Sequence, residues 1–340
     1  MLFCDKSNIF LMLFLLDHRA YPASSIQLAS DNSGILPRIS RCVADPAAIV
    51  LLKEIFIDHY CNFFDKEFSK HVISNSFNIL SSSQASGTDI PKLKDAMTKV
   101  SKLFYSKNDN SIFSKKYVLY KKLLKPKYYF EMTEKNFLGK RILDFGCGKG
   151  HFSNYSYSHG YTAIDADVLD YNEVHRQEIP FVQLRTTSDI SKKIDTVDTT
   201  VCLTVLHHIE KEKIGDVLSK ISLISRRLIV IEDVIDIETF KDKGITKLEK
   251  KMASLPEESR SCAVVLADFY GNVVAQGLSK MSLPFNFRTS GEWEKLLIKN
   301  GYSIKSVTPI GFPSVSFHGF FQVKIVCDSN NLIKETTSMA

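Results

Sequence analysis

Seven residues from Asp144 to Gly150, in the order Asp-Phe-Gly-Cys-Gly-Lys-Gly, have the composition of a ligand-binding loop. They follow a short aliphatic run. Glycines at the end of a strand let the backbone turn sharply and approach a ligand at the start of the next helix. The spacing excludes two phosphate-binding patterns, because the dinucleotide fingerprint needs a glycine where His151 stands and a P-loop needs serine or threonine in place of Gly150. The loop therefore predicts a ligand that is held without those phosphate-binding geometries.

Two histidines and two carboxylates at the ends of later apolar runs have side chains that could move a proton. His207 and His208 follow one run, and Glu232 and Asp233 end the next. Ligands of α/β sheets bind at the carboxyl edge of the strands, so we expect one of the two carboxylates to face a site there and the other to point away. These four residues, with His151 after the glycine loop, are the candidates for a general base.

The segments that must position these groups alternate between strand and helix patterns from Lys140 onward. Such alternation predicts a doubly wound, mostly parallel α/β sheet. Near the end of the chain, the strands YSIKSVTPI and FFQVKIVCD follow one another without a helix between them. Because parallel strands need a longer crossover, these two are expected to form an antiparallel hairpin at the sheet edge.

Around that sheet we predict a helix-rich N-terminal extension over 1–112, a main domain over 113–330 and a C-terminal tail over 331–340. In the extension a long helix is expected from Pro46 to Phe68, another opening at Pro91, and one over Ser114–Leu124 that stops before Pro126. Residues 235–289 are longer than a simple connection needs and predict a cap beside the ligand edge. Its aromatic residues are candidates to line the cap: Phe269, Tyr270, Phe285 and Phe287.

Composition excludes several protein classes. With 340 residues, of which 44% are hydrophobic and 24% charged, the chain can bury a core and is neither fibrous nor wholly disordered. The apolar run Ile9–Leu16 is shorter than the roughly 18–20 residues of a membrane-spanning helix and is expected to be buried. Seven scattered cysteines without a CxxC pair predict neither a disulfide framework nor a metal site, and they fit a reducing, cytoplasmic compartment.

The net charge of +6 is concentrated in one stretch. Between Lys99 and Arg141, twelve basic residues stand against three acids, with aromatic residues interleaved, so the rest of the chain is slightly acidic. A basic surface with stacking rings would suit RNA or another anion. A solvated helix face whose rings pack inward explains the same pattern, so both interpretations stay open here.

The order acidic-x-Gly-x-Gly-x-Gly resembles motif I of the class I S-adenosylmethionine (SAM) methyltransferases, and the resemblance runs from about Lys140 to Asp328. It implies a seven-stranded sheet and SAM as cofactor. In that family the glycine loop passes beside the methionine part of SAM, and an acid ending the second strand binds the ribose hydroxyls. By this resemblance the methionine end is held by Asp144, Gly146, Cys147 and Gly148, and the ribose by Asp165.

The segment Val201–Ile209 is similar to the one after the fourth strand in the small-molecule branch of the family. There the strand-end backbone, here Leu203 and Thr204, lies near the reacting sulfonium, and the residue at the position of His207 faces the active site. One departure concerns adenine, which many relatives bind through an aspartate after the third strand. This chain has Arg185 and Thr186 there, and Thr186 offers an oxygen instead.

These features predict a cytoplasmic SAM-dependent methyltransferase for a small-molecule or lipid-like acceptor, with His207 as the favoured base. Two alternatives stay open. The first is an RNA methyltransferase that uses the basic stretch, although the NPPY-type signature of many nucleic-acid-modifying relatives is absent. The second is a binding or scaffolding protein that keeps the fold without chemistry.

Overall fold

The computed structural model of the chain describes residues 35–82, 92, 95–96, 98–100, 116, 119–169, 178–236, 240, 246–274, 282–313 and 320–332. The apolar run Ile9–Leu16, most of the helix expected at Pro91 and the boundary predicted at 112/113 lie outside these residues. The division into domains therefore stays a prediction. No helix in the described ranges is long and apolar enough to span a membrane.

A seven-stranded sheet forms the centre of the molecule, in the order β3-β2-β1-β4-β5-β7-β6. Strands β1 to β5 pair in parallel, whereas β7 is antiparallel to both β5 and β6. The predicted doubly wound, mostly parallel sheet with an antiparallel edge hairpin is confirmed. The strands are β1 (Arg141–Phe145), β2 (Thr162–Asp167), β3 (Phe181–Gln183), β4 (Val197–Leu203), β5 (Ser225–Asp233), β6 (Tyr302–Gly311) and β7 (Gln322–Ser329).

Both faces of the sheet are covered, which is why the central strands contain continuous buried runs such as Leu228–Ile231 of β5. Successive residues of a strand point to opposite faces of the sheet. Val201 and Ile231 pack with Phe130 in one apolar cluster, whereas Cys202 and Val230 belong to a larger cluster on the other side. The helices that follow the strands are α5 (His151–Ser158), α6 (Asp189–Lys193), α7 (Ile214–Ser222) and α10 (Ser290–Lys299).

Five further helices form a layer that we call the helical cover. They are α1 (Ile35–Val43), α2 (Pro46–Cys61) and α3 (Lys66–Ser82) from the predicted extension, and α8 (Lys247–Ser254) and α9 (Glu257–Phe269) from the predicted cap. Helix α9 packs against α1 and α2. Just beyond α9, Tyr270 stacks on Phe77 of α3 with 5.7 Å between ring centroids. Extension and cap therefore share one apolar core.

The predicted ends of two helices are wrong. The helix expected from Pro46 to Phe68 is interrupted after Cys61, and Asp65 then accepts a hydrogen bond from the Phe68 amide at 2.8 Å and opens α3. The helix expected to stop before Pro126 continues instead. A π-helical turn (Tyr120–Leu124) leads directly into α4 (Lys125–Thr133). Pro126 is tolerated because it lies in the first turn of α4, where an N–H needs no partner within the α-helix.

Candidate functional site

The glycine loop is tied to the neighbouring strand β2. The amides of Gly146 and Cys147 donate to the Ala166 carbonyl at 2.8 and 3.2 Å, and the Gly148 amide donates to the Asp167 carboxylate at 2.8 Å. Gly146 and Gly148 both have left-handed backbones, with φ of +76° and +54°. Such angles favour glycine because it has no Cβ, so the two glycines allow the loop to adopt this backbone without strain.

The two glycines differ in what surrounds them. A Cβ at Gly146 would lie 2.1 Å from Cγ2 of Val205, so this glycine is required for contact with the segment after β4. A Cβ at Gly148 would meet no described atom within 4 Å. The loop is therefore packed on one side and open on the other, and the open side offers room for a ligand.

Three aspartates lie beneath this loop, on β1 and β2. Asp144 and Asp165 are register partners in adjacent strands, and both are buried. Burial, together with the charges of Asp165 and Asp167, raises the pKa of Asp144 well above its ordinary value. Oδ2 of Asp144 is buried and has no hydrogen-bond partner in the described part of the chain. A cationic group placed there would relieve both the repulsion and the missing hydrogen bond, and the ammonium group of SAM has that chemistry.

Asp167, to which no role is given by the sequence pattern, holds the loop rather than standing free. Its carboxylate accepts from the amides of Gly148 and Leu169, at 2.8 and 3.1 Å. Asp165 lies two residues earlier and has the place that the resemblance assigns to the ribose-binding acid. Its role stays a prediction.

The end of β4 carries a strained residue. Thr204 has φ of +53°, which is unusual for a β-branched side chain, and its amide donates to the Ile231 carbonyl at 2.7 Å. Such a backbone costs about 1–3 kcal/mol and persists only where its surroundings hold it in place. Leu203 is partly buried just before it. The strand end that was predicted to lie near the sulfonium is thus held in a fixed, energetically costly turn.

Directly after this turn, His207 is enclosed by two carboxylates. Its Nδ1 lies 2.5 Å from Oε2 of Glu232, and its Nε2 lies 3.5 Å from Oδ1 of Asp268. The other oxygen of Glu232 accepts from the amides of Val205 and Leu206, at 2.9 and 2.6 Å. Burial alone would lower the pKa of His207, but the charges of Glu232 and Asp268 outweigh it and raise that pKa well above the ordinary value. His207 is only 1% exposed.

His208 and Asp268 complete the group. Nε2 of His208 lies 3.7 Å from Oδ1 of Asp268, and the two imidazole rings are 4.0 Å apart. Burial and the charge of His207 lower the pKa of His208 to about 3. Asp268 also accepts from Nδ2 of Asn272 at 2.6 Å. We call His207, His208 and Asp268, with Glu232 behind them, the His–Asp cluster.

Asp268 comes from α9 in the predicted cap, and the sequence pattern gives no sign of it because 60 residues separate it from His208. Three of the aromatic residues predicted to line the cap are instead buried in the apolar core: Phe269, Tyr270 and Phe285. Phe287 is different, since it stacks on His207 with 4.7 Å between ring centroids.

Other candidates are placed apart from the cluster. Asp233 accepts from Nε2 of Gln322 at 2.8 Å, and that amide group also contacts the hydroxyl of Tyr129, so Asp233 faces a different set of partners from Glu232. Burial raises the pKa of Asp233 to about 6. His151 begins α5, and burial, followed by the charges of nearby lysines, lowers its pKa to about 3.

Thr186 is exposed, and its hydroxyl lies 2.9 Å from the hydroxyl of Ser188. The Thr186 amide donates to the carboxylate of Asp189 at 3.2 Å, and so does the amide of Arg185 at 2.8 Å. Asp189 therefore shapes the turn after β3, and adenine recognition by Thr186 stays a prediction.

Comparison with known proteins gives one family. Residues 120–234 match a family model described as a methyltransferase domain. No curated protein matches the chain.

Solved structures of similar fold include the pyocyanin biosynthetic protein, which is 14% identical over 77% of this chain and 71% of its own, with a TM-score of 0.48. A magnesium protoporphyrin IX methyltransferase from Synechocystis is 15% identical over 62% of this chain and 84% of its own, with a TM-score of 0.39. A 1,6-didemethyltoxoflavin-N1-methyltransferase from Burkholderia thailandensis is 12% identical over 68% and 86%, also with a TM-score of 0.39. At these identities the likeness does not extend to substrates.

The family match begins at the π-helical turn and ends just after β5, so it contains the glycine loop, the three aspartates and both histidines. Residues 120–234 are therefore similar to a methyltransferase domain.

Proposed function

We propose that the protein is a SAM-dependent methyltransferase that acts on a small-molecule or lipid-like acceptor. One observation carries the proposal. The packed side of the glycine loop touches Val205, and the segment after Val205 places His207 against Glu232. Two features therefore lie at the carboxyl edge of β1, β4 and β5, where α/β sheets bind ligands. One is the open glycine loop above Asp144, and the other is the pair of His207 and Glu232.

Each predicted residue has a proposed part in this site. Asp144, Gly146, Cys147 and Gly148 hold the methionine end of the cofactor, Asp165 the ribose and Thr186 the adenine. The backbone at Leu203 and Thr204 borders the sulfonium, and SAM supplies an already activated methyl group. Positioning and exclusion of water then contribute most of the acceleration. His207 is the proposed base for an acceptor that must lose a proton, a part that requires its ring to be neutral in spite of the raised pKa.

The RNA alternative loses support from the placement of the basic stretch. Three of its aromatic residues, Tyr120, Tyr129 and Phe130, are only 3–4% exposed and pack inward, and Tyr128 is half-buried. Lys121 and Lys125 are partly buried, and burial lowers the pKa of both. This favours the interpretation of a solvated helix face around an apolar core, and with it a small acceptor.

The proposal is tested with the purified full chain in two steps. Calorimetry should show SAM binding, and a ligand at 100 times its dissociation constant should add about 2.7 kcal/mol to the free energy of unfolding. Mass spectrometry should then detect S-adenosylhomocysteine and a methylated product when the protein is incubated with SAM and metabolite extract. SAM binding without turnover over a broad set of extracts would favour the scaffold alternative, and absence of SAM binding would refute the proposal.

A further inference from the structure

We propose that the His–Asp cluster is a binding site for a divalent transition-metal ion of the Zn²⁺ type, with His207, His208 and Asp268 as its three protein ligands. One potential ligand atom from each of these residues lies within 4.8 Å of the other two. Binding of the ion does not depend on methyl transfer. Only the consequence for the acceptor, given below, rests on the proposed function.

The distances in the cluster fit a shared ion better than direct hydrogen bonds. The two imidazole nitrogens lie 3.5 and 3.7 Å from Oδ1 of Asp268. Hydrogen bonds between nitrogen and oxygen are about 2.7–3.2 Å long. Ligands that sit about 2.0–2.2 Å from a tetrahedral zinc ion are, by geometry, about 3.3–3.5 Å from one another. The two nitrogen–oxygen distances are thus close to the edges of a zinc tetrahedron, and all three potential ligand atoms lie within 4.8 Å of one another.

The groups behind the ligands orient them as metal sites require. Glu232 binds Nδ1 of His207, which leaves Nε2 of that ring facing Asp268. Asn272 donates to Oδ1 of Asp268, the oxygen that faces the two histidines, and so fixes the orientation of the carboxylate. A histidine ligand whose second nitrogen donates to a carboxylate is the usual arrangement at metal sites, because it sets the tautomer and raises the basicity of the ligand.

Unsatisfied atoms and charge both point to a cation. Nε2 of His207 and Oδ2 of Asp268 are buried and have no hydrogen-bond partner among the residues that the structure describes. Buried polar atoms without partners are costly and rare. Glu232 and Asp268 are also two buried carboxylates within reach of one histidine, so a dication that displaces the Nε2 proton of His207 to solvent would balance their charge.

Three protein ligands leave a coordination position for the acceptor. Catalytic zinc sites keep such a position open, whereas structural sites use four protein ligands. On the proposed function, the fitting acceptor carries an oxygen that can bind the ion, such as a phenol, enol or carboxylic acid. A ligating His207 has no nitrogen free to act as the base, so the ion would take over that part: the O–H bond of the acceptor breaks with the proton released to water, and the new O–CH₃ bond then forms as the S–CH₃ bond of the cofactor breaks.

The test measures metal in the full chain without SAM or acceptor. The apo protein is prepared by chelation, titrated with Zn²⁺ and, separately, with Co²⁺, and the bound metal is counted after dialysis. We expect about one ion per chain and, for Co²⁺, the visible absorption of a tetrahedral site. His208→Gln and Asp268→Asn should lose the tightly bound ion, and Glu232→Gln should weaken it about 10–100-fold.

Matched surface changes control the measurement. His159→Gln and Glu210→Gln remove an exposed imidazole and an exposed carboxylate outside the cluster, and both should keep the full metal content. Circular dichroism confirms that each variant is folded. No stoichiometric ion in the wild-type chain, or equal loss in cluster and control variants, would overturn the site and leave His207 as a protonated ion-pair partner. Calorimetry with SAM on the same samples keeps this outcome separate from a failure of the proposed function.

Discussion

At the scale of single residues, two glycines of the loop are needed for different reasons: Gly146 for packing within the fold and Gly148 for space beside the ligand. Gly148 has a left-handed backbone and open space beyond it, and asparagine tolerates that backbone better than most residues. Gly148→Asn should therefore keep the melting temperature within a few degrees but fill the ligand space. We expect SAM affinity, measured by calorimetry, to fall at least tenfold.

Gly146→Ala is the matched comparison for that prediction. Its new methyl group would overlap Val205, so this variant should lose about 1–3 kcal/mol of unfolding free energy, as overpacked sites do. Unchanged SAM affinity in folded Gly148→Asn would show that the open side of the loop is not the cofactor site.

Replacement of Asp144 by asparagine should raise the free energy of unfolding but weaken SAM binding. Because the pKa of Asp144 is raised in the folded state, it binds its proton more tightly there than in the unfolded chain, and the free energy of unfolding falls as pH rises above the ordinary aspartate value. Asp144→Asn removes that loss. We expect the apo variant to be more stable than wild type at pH 7 by about 1–3 kcal/mol, and to bind SAM more weakly.

Thermal unfolding across pH measures the first effect of Asp144→Asn and calorimetry the second. The stability gain should shrink as pH falls toward and then below the ordinary aspartate value of 3.8, because the wild-type carboxyl then becomes neutral in the unfolded state as well. A gain that is independent of pH would contradict the assignment of the raised pKa. Equal SAM affinity in both proteins would remove Asp144 from the cofactor site.

At the scale of elements, the sequence pattern was enough for the sheet but not for the whole site. Apolar runs with flanking turns predicted a mostly parallel sheet with an antiparallel edge hairpin, because the central parallel strands are buried on both faces. Helix ends were harder to predict from the sequence. The break before α3 depends on one capping side chain, Asp65, and the continuation through Pro126 depends on a π-helical turn. Asp268 could not be found at all, since it reaches His207 only through the packing of α9 on α1 and α2.

The helical cover should therefore influence the acceptor side of the site more than the cofactor side. Phe77 of α3 is 2% exposed and stacks on Tyr270, two residues after Asp268. Phe77→Leu changes the shape of this contact at a cost of about 1–1.5 kcal/mol. We expect a lower melting temperature and a several-fold higher KM for the acceptor, with SAM affinity unchanged. Parallel losses of SAM and acceptor binding would indicate that the cover is coupled to the glycine loop as well.

At the scale of the whole molecule, the distribution of charge decides between a small acceptor and RNA. The stretch from Lys99 to Arg141 carries the excess of positive charge, with twelve basic residues against three acids, yet its described basic residues divide into two sets. Lys99, Lys116, Lys122, Lys127, Lys135 and Lys140 are exposed, whereas Lys121, Lys125 and Arg141 are partly buried. A charge-reversal experiment must change only the exposed set, because a glutamate at a buried position would perturb folding.

We expect the triple variant Lys122→Glu, Lys127→Glu and Lys135→Glu to keep its activity and to show little change with salt. Exposed charges on a solvated helix contribute at most about 1 kcal/mol each, and a small acceptor bound beneath the helical cover does not contact them. RNA bound along this face would behave differently, since the logarithm of affinity should fall with the logarithm of salt concentration by roughly 0.7 per contacted phosphate of a single strand. Acceptor KM and RNA affinity, each measured from low to physiological salt in wild type and in the triple variant, separate the two. A steep slope that disappears in the triple variant would make RNA the acceptor, and the inward packing of Tyr120, Tyr129 and Phe130 argues for the flat response.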